Sequence, residues 1–95
     1  MEQAPLRVEV FSSPGCVKCS RAKAILRAVA DEIGGARISW REVDILEETD
    51  YAVDLGVIGA PAIAIEGVLV FPSLPRPAKL RAELLRRLGG AGEAR

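Results

Sequence analysis

The chain has 95 residues, 49% hydrophobic and 27% charged, and its 13 basic and 13 acidic side chains cancel to a net charge of zero. That length suits one domain with one modest core, and the apolar share excludes a disordered chain. The charge balance supplies no field to draw the protein onto nucleic acid or an anionic membrane, so proteins or small thiols are the expected partners.

In chain order, residues 1–5 lack the basic segment and the apolar run of about 7–15 residues that a secretory signal needs. Charges at Glu9, Lys18, Arg21, Lys23 and Arg27, with more at similar spacing beyond, interrupt any apolar stretch approaching the roughly 18 residues of a membrane span. A cytoplasmic protein is expected. Residues 6–11 alternate apolar and charged around Val8 and Val10, a period of two that predicts a strand. Ser12, Ser13, Pro14 and Gly15 break it. From Cys16 the apolar set Ala22, Ile25, Leu26, Val29 and Ile33 recurs at three- and four-residue steps, which predicts an amphipathic helix ended by Gly34 and Gly35. Residues 38–45 are rich in β-branched side chains and form a second predicted strand, and 47–55 a short polar helix closed by Gly56.

Two apolar runs, Ala62–Ile65 and Val68–Phe71, stand only Glu66 and Gly67 apart, which predicts a hairpin. After Pro75 and Pro77, Leu80, Leu84, Leu85 and Leu88 stripe a last helix whose arginines, Arg81, Arg86 and Arg87, lie off the stripe. Residues 89–95 are Gly- and Ala-rich without period, so the expected organisation is one domain over 1–88 and a flexible tail over 89–95. The order is strand, helix, strand, helix, strand, strand, helix. A strand–helix–strand crossover makes the first two strands parallel, and the tight turn makes the last two antiparallel. The predicted class is α/β, a four-stranded mixed sheet flanked by three helices.

The sharpest chemical feature is Pro14-Gly15-Cys16-Val17-Lys18-Cys19, between the end of a strand and the start of a helix. Unpaired N–H groups and the positive end of the helix dipole favour an anion there, so the Cys16 thiol should ionise below the free value of about 8.5, and Lys18 adds a nearby positive charge. The Cα atoms of the two cysteines are about one helical turn apart, within reach of a disulfide. Cys16, at the exposed tip, would attack a substrate disulfide, and Cys19, one turn inside, would resolve the mixed disulfide. Three other readings stay open: a structural disulfide, which closes too short a loop to restrict the unfolded chain much; half of a metal site completed by a second copy or by carboxylates; and inert buried thiols. Lys18 could equally be a solvated first-turn residue, and Trp40 is read as packing or surface cover.

This Cys-x-x-Cys at a strand-to-helix junction, followed by Gly59-Ala60-Pro61 opening an apolar hairpin, resembles the thioredoxin family in its short, glutaredoxin-like form over about residues 6–88. The resemblance implies a thioredoxin-like fold and dithiol–disulfide exchange through Cys16 and Cys19 with no further cofactor. It implies that Pro61 is a cis proline beside the redox pair, and that the backbone of Ala60 pairs with an extended substrate segment. It implies protein disulfides as substrates of a monomer, with electrons from a thioredoxin reductase-like flavoprotein or from glutathione. The alternative in the same fold is a carrier of metal or an iron–sulfur cluster on the same cysteines. Val10 stands where thioredoxins tend to place a buried acid, and Glu9 faces away if Val10 faces the core, so no base is assigned to Cys19. Phe71-Pro72-Ser73-Leu74-Pro75 stands where glutaredoxins usually carry a Gly-Gly-Asp-type segment for glutathione. These departures bring the chain nearest to the small thioredoxins of glutaredoxin size.

Overall fold

The computed structural model describes residues 4–93. Strand β1 (Leu6–Ser12) turns into helix α1 (Val17–Ile33), and a single 3-10 turn (Gly35–Arg37) leads to β2 (Ile38–Asp44). Then come α2 (Thr49–Leu55), the hairpin of β3 (Ala62–Ile65) and β4 (Val68–Phe71), and α3 (Pro77–Glu93). The strands form one sheet in the order β2-β1-β3-β4, with β1 parallel to β2 and antiparallel to β3, and β3 antiparallel to β4. The α/β order and the mixed sheet are those expected from the sequence.

Alternation along the strands divides the core in two. Val8 and Val10 of β1 and Ile63 and Ile65 of β3 meet Ala22, Leu26 and Ala30 of α1 and Leu80 and Leu84 of α3 on one face. Phe11, Val43, Ala62 and Ala64 meet Ala52 of α2 and Val57 on the other. Aliphatic packing of this kind is sensitive to truncation; a buried Leu→Ala change costs about 2–5 kcal/mol.

With helices on both faces, Glu9 in the middle of β1 does not reach water and is only 5% exposed, whereas Arg7 near the start of the strand is exposed. A buried carboxylate is costly unless it is paired and hydrogen-bonded. Glu9 accepts a bond of 2.7 Å from the Arg41 guanidinium and another from the Tyr51 hydroxyl. Arg41 in turn spans to Glu48 at 2.6 Å and lies 5.8 Å from the centre of the Tyr51 ring.

The α1 stripe is narrower than its spacing suggests. Ala22, Leu26 and Ala30 are buried, but Ile25 is 46% exposed, because at about 100° per residue it sits roughly a quarter-turn from the centre of the stripe. On α3, Leu80 and Leu84 are buried and Leu85 is exposed for the same reason. Glu66 and Gly67 both take positive φ, 53° and 78°, the conformation of a two-residue turn whose twist matches its strands. Glu66 is held in it by β1: its N–H donates to the Arg7 carbonyl at 2.9 Å, and its carboxylate accepts from the Arg7 N–H at 2.7 Å.

The end of the chain differs from expectation. Helix α3 continues through Gly89 to Glu93, where the sequence reading begins a tail at 89; residues 94 and 95 lie outside the described residues. A glycine costs a helix about 1 kcal/mol but does not forbid it, and a helix already anchored by Leu80 and Leu84 propagates one bond per residue.

The Tyr51 hydroxyl has its pKa raised, first by its hydrogen bond to Glu9 and then by burial. The folded value therefore lies above the unfolded value of about 10, so the stabilisation is complete below about pH 10 and lost as pH rises through the folded pKa. Tyr51 is the single tyrosine, so its ultraviolet titration is unambiguous. Its midpoint should lie above that of the urea-unfolded chain, and Glu9→Gln should bring it back toward that value. Coincident midpoints in the native protein would show that the Tyr51–Glu9 bond carries no weight.

Candidate active site

The site is built where β1 hands over to α1. After Ser12 the chain turns through Ser13-Pro14-Gly15, with the Cys16 N–H donating to the Ser13 carbonyl at 3.2 Å and Gly15 at φ +78°. That left-handed residue brings Cys16 into the N-cap position of α1, and its Sγ accepts the Cys19 N–H at 3.1 Å. The Cys16 sulfur thus sits among the unpaired donors of the first turn, where negative charge is favoured. Cys16 and Cys19 are joined in a disulfide with their Cα atoms 5.2 Å apart. Cys16 is partly exposed, whereas Cys19 is buried at 2%.

Two cavities flank this turn. On the β3 side an apolar groove of about 670 Å³ runs from Val17 past Ala60 and Pro61 to Ile25 and Leu74, with Arg21 at its wall. On the β2 side a polar pocket of about 430 Å³ is lined by both cysteines together with Ser12, Ser20, Lys23 and Asp44. Lys23 Nζ is 3.3 Å from a carboxylate oxygen of Glu42 on β2.

The structure brings Ala60 and Pro61 into the groove that starts at Val17, the neighbour of Cys16, and the Ala60–Pro61 peptide is cis. Lys18 lies in the first turn of α1, but its side chain is outside the described residues. Glu9 lies on the α2 face and Val10 on the α1 face, so Glu9 points away from the cysteine helix. Trp40 packs partly buried against the α1 side of the core. Among the described residues no group of three or more His, Cys, Asp or Glu gathers that could hold a metal ion. No helix of the described residues is long and apolar enough to cross a membrane. Sequence reasoning did not single out Lys23, Glu42, Asp44 or the Ile25–Leu74 groove. Lys23 follows Cys19 by one helical turn, a legible spacing, but Glu42 and Asp44 join it only through the register of β2 beside β1.

A family model described as a thioredoxin domain matches residues 6–84. The chain belongs to the thioredoxin family. A probable thioredoxin of Methanothermobacter marburgensis is 36% identical over 70 residues, 74% of this chain and 81% of that one. A thioredoxin of Methanocaldococcus jannaschii is 29% identical over 83 residues, 87% of this chain and 96% of that one. Among solved structures, a thioredoxin of Malassezia sympodialis superposes with a TM-score of 0.72 at 20% identity, covering 85% of this chain and 73% of that one, a likeness of fold. Membership and the Cys16–Cys19 pair make this thioredoxin-family chain a thiol–disulfide oxidoreductase acting on protein disulfides.

Gly15 has the one left-handed backbone of the redox turn, and a Cβ built on it would meet nothing within 4 Å. Gly15→Ala therefore changes backbone strain alone and should lower stability by about 1–2 kcal/mol in urea unfolding, with an unchanged far-ultraviolet spectrum. A variant as stable as the parent would mean that the turn relaxes out of the left-handed region.

Proposed function

We propose that the protein reduces protein disulfides in two asymmetric steps, with Cys16 as the attacking thiolate and Cys19 as the resolving thiol. The observation that carries this reading is the difference between the two sulfurs: Cys16 is partly exposed and accepts a helix N–H, and Cys19 is buried one turn inside. In the first step the Cys16 thiolate attacks one sulfur of the substrate disulfide, forming a mixed disulfide and releasing the other sulfur as a thiolate that takes a proton. In the second, Cys19 loses its proton and attacks the Cys16 sulfur; the Cys16–Cys19 disulfide forms and the substrate leaves as a dithiol, two electrons reduced.

Ala60 and Pro61 are the proposed substrate-positioning residues. Ala60 lies just before β3, and its backbone N–H and C=O make no backbone bond among the described residues, which suits short β-pairing with an extended substrate segment. The groove beside them is walled by Val17, Ile25 and Leu74, which fits apolar substrate side chains. Lys18, in the first turn, is proposed to add positive charge near Cys16.

The electron donor proposed is a thioredoxin reductase-like flavoprotein rather than glutathione. Glutathione carries two carboxylates, and Arg21 is the one cation lining the apolar groove among the described residues. The working form proposed is a monomer of one domain that needs no cofactor beyond its own disulfide, in the cytoplasm, where thiols are kept reduced.

Insulin reduction separates the parts of this reading. Cys16→Ser should abolish turnover and trap nothing, whereas Cys19→Ser should accumulate a mixed disulfide with insulin, visible by mass as one covalent adduct. NADPH with a thioredoxin reductase should sustain turnover in the native protein at least tenfold faster than glutathione with its reductase. Adducts forming through Cys19 in the Cys16→Ser variant would reverse the assigned roles, and faster turnover with glutathione would reverse the assigned donor.

A further inference from the structure

Resolution requires a buried thiol to become an anion, and burial makes that anion costly. The strand residue facing α1 at this level, Val10, has no acid to offer. What the structure places beside Cys19 instead is the polar pocket on the β2 side. Cys19 and Lys23 are four residues apart on α1, neighbours on one helix face with Cβ atoms about 5–6 Å apart, and both line this pocket. The Lys23 side chain is 25% exposed, so its charge is only partly screened by water. Glu42, which is level with Val10 in the β1–β2 ladder, holds the ammonium at 3.3 Å and keeps it on the sheet side of the helix.

The charged groups on this side, among the described residues, are Lys23 on α1 and Glu42 and Asp44 on β2. Asp44 Oδ1 accepts the Leu46 N–H at 2.8 Å and so closes its own turn. The other elements packed under α1 present buried apolar groups: Val10 from β1, Ile63 from β3, Leu80 and Leu84 from α3.

We propose that Lys23, held by Glu42 at the wall of the polar pocket, is the positioning charge that stabilises the Cys19 thiolate as it displaces substrate from Cys16. The inference rests on the two-step reading above. When the mixed disulfide is in place, the Cys19 proton leaves to solvent through the mouth of the pocket, the thiolate attacks the Cys16 sulfur, and the substrate sulfur departs with the bonding pair and takes up a proton. The part of Lys23 is the field its charge exerts on Cys19. A single charge at this range, in surroundings of effective dielectric between protein and water, moves an ionisation by about half a unit to one unit, a three- to tenfold change in thiolate at a given pH.

The test is a charge series at Lys23 in the reduced Cys16→Ser protein, where Cys19 is the one thiol and its alkylation rate is followed from pH 6 to 10. Lys23→Gln should raise the midpoint by about half a unit to one unit, Lys23→Glu should raise it further, and Lys23→Arg should leave it within a few tenths. With Cys16 restored, release of a preformed mixed disulfide should slow about two- to fourfold at pH 7 in Lys23→Gln, the loss of thiolate being partly offset by its greater nucleophilicity, and recover to at least the parent rate at high pH. Far-ultraviolet spectra and thermal midpoints monitor folding, and Lys23→Arg supplies a variant that keeps both charge and fold. A midpoint that does not follow the charge series overturns the proposal, as does slow release that high pH fails to restore. Either result leaves the two-step reading standing as long as Cys19→Ser still traps substrate; loss of trapping would instead count against that reading.

Discussion

The site depends on the pairing of β1 with both of its neighbours. β1 is parallel to β2, so the crossover helix α1 must begin at the C-terminal end of β1, and its unpaired N–H groups point off that edge of the sheet. β3 runs the other way, so its first residue, Ala62, sits against Phe11 near the same edge. The residues entering β3, Ala60 and Pro61, therefore arrive beside the redox turn although more than forty positions separate them from it in the chain. β2 ends there too: Ser12 pairs with Asp44, and the Ile45 N–H donates to the Ser12 carbonyl at 2.9 Å. One topological fact thus gathers three loops at a helix N-terminus.

The central position of β1 also explains the charge inside the molecule. In the middle of that strand, under helices on both faces, Glu9 has no solvent side and needs partners from the elements around it. Arg41 comes from β2 and Tyr51 from α2, so the ion pair ties Glu9 to an edge strand and the tyrosine hydrogen bond ties it to the short helix that covers that face. Arg41 is itself about half exposed, so the pair is partly screened, and its main effect is to satisfy the buried carboxylate rather than to add much net stability. It lies on the far side of the sheet from α1.

Much of this was legible in the sequence because it rests on local signals. Gly15 before Cys16 marks the turn, the spacing to Cys19 marks one helical turn, Glu66-Gly67 marks the hairpin, and Pro61 before an apolar strand completes the resemblance. What escaped needed the third dimension. Period-two alternation in residues 6–11 reports which side chains share a face, and the element order puts helices on both faces, but neither tells which partners a charged residue meets there, so the Arg41 and Tyr51 contacts of the buried Glu9 were not legible. Three- and four-residue spacing put Ile25 with the core, yet its angular offset from Leu26 leaves it on the wall of a groove whose other wall, Leu74, is far along the chain. Glu42 is alternation noise in a strand until the register sets it level with Val10 and within reach of Lys23. At the C-terminus, Gly-rich composition argued against a helix that a well-anchored preceding turn is able to extend.

The two cavities divide the chemistry by polarity. Any disulfide exchanger must meet two demands at one helix tip: an apolar approach for the substrate, which excludes water and favours the mixed disulfide, and a polar route by which a buried thiol gives up its proton. A single pocket serves these demands poorly, because the water that carries the proton weakens the apolar contact. Placing β3 and β2 on opposite sides of β1 separates them. Pro61, Ile25 and Leu74 wall one side of the α1 N-terminus, and Lys23, Ser20 and Asp44 the other, with the Cys16–Cys19 disulfide at the junction. Both sulfurs line the polar side; in the proposed reading the partly exposed one at the tip of the helix meets substrate, and the buried one, a turn inside, ionises last.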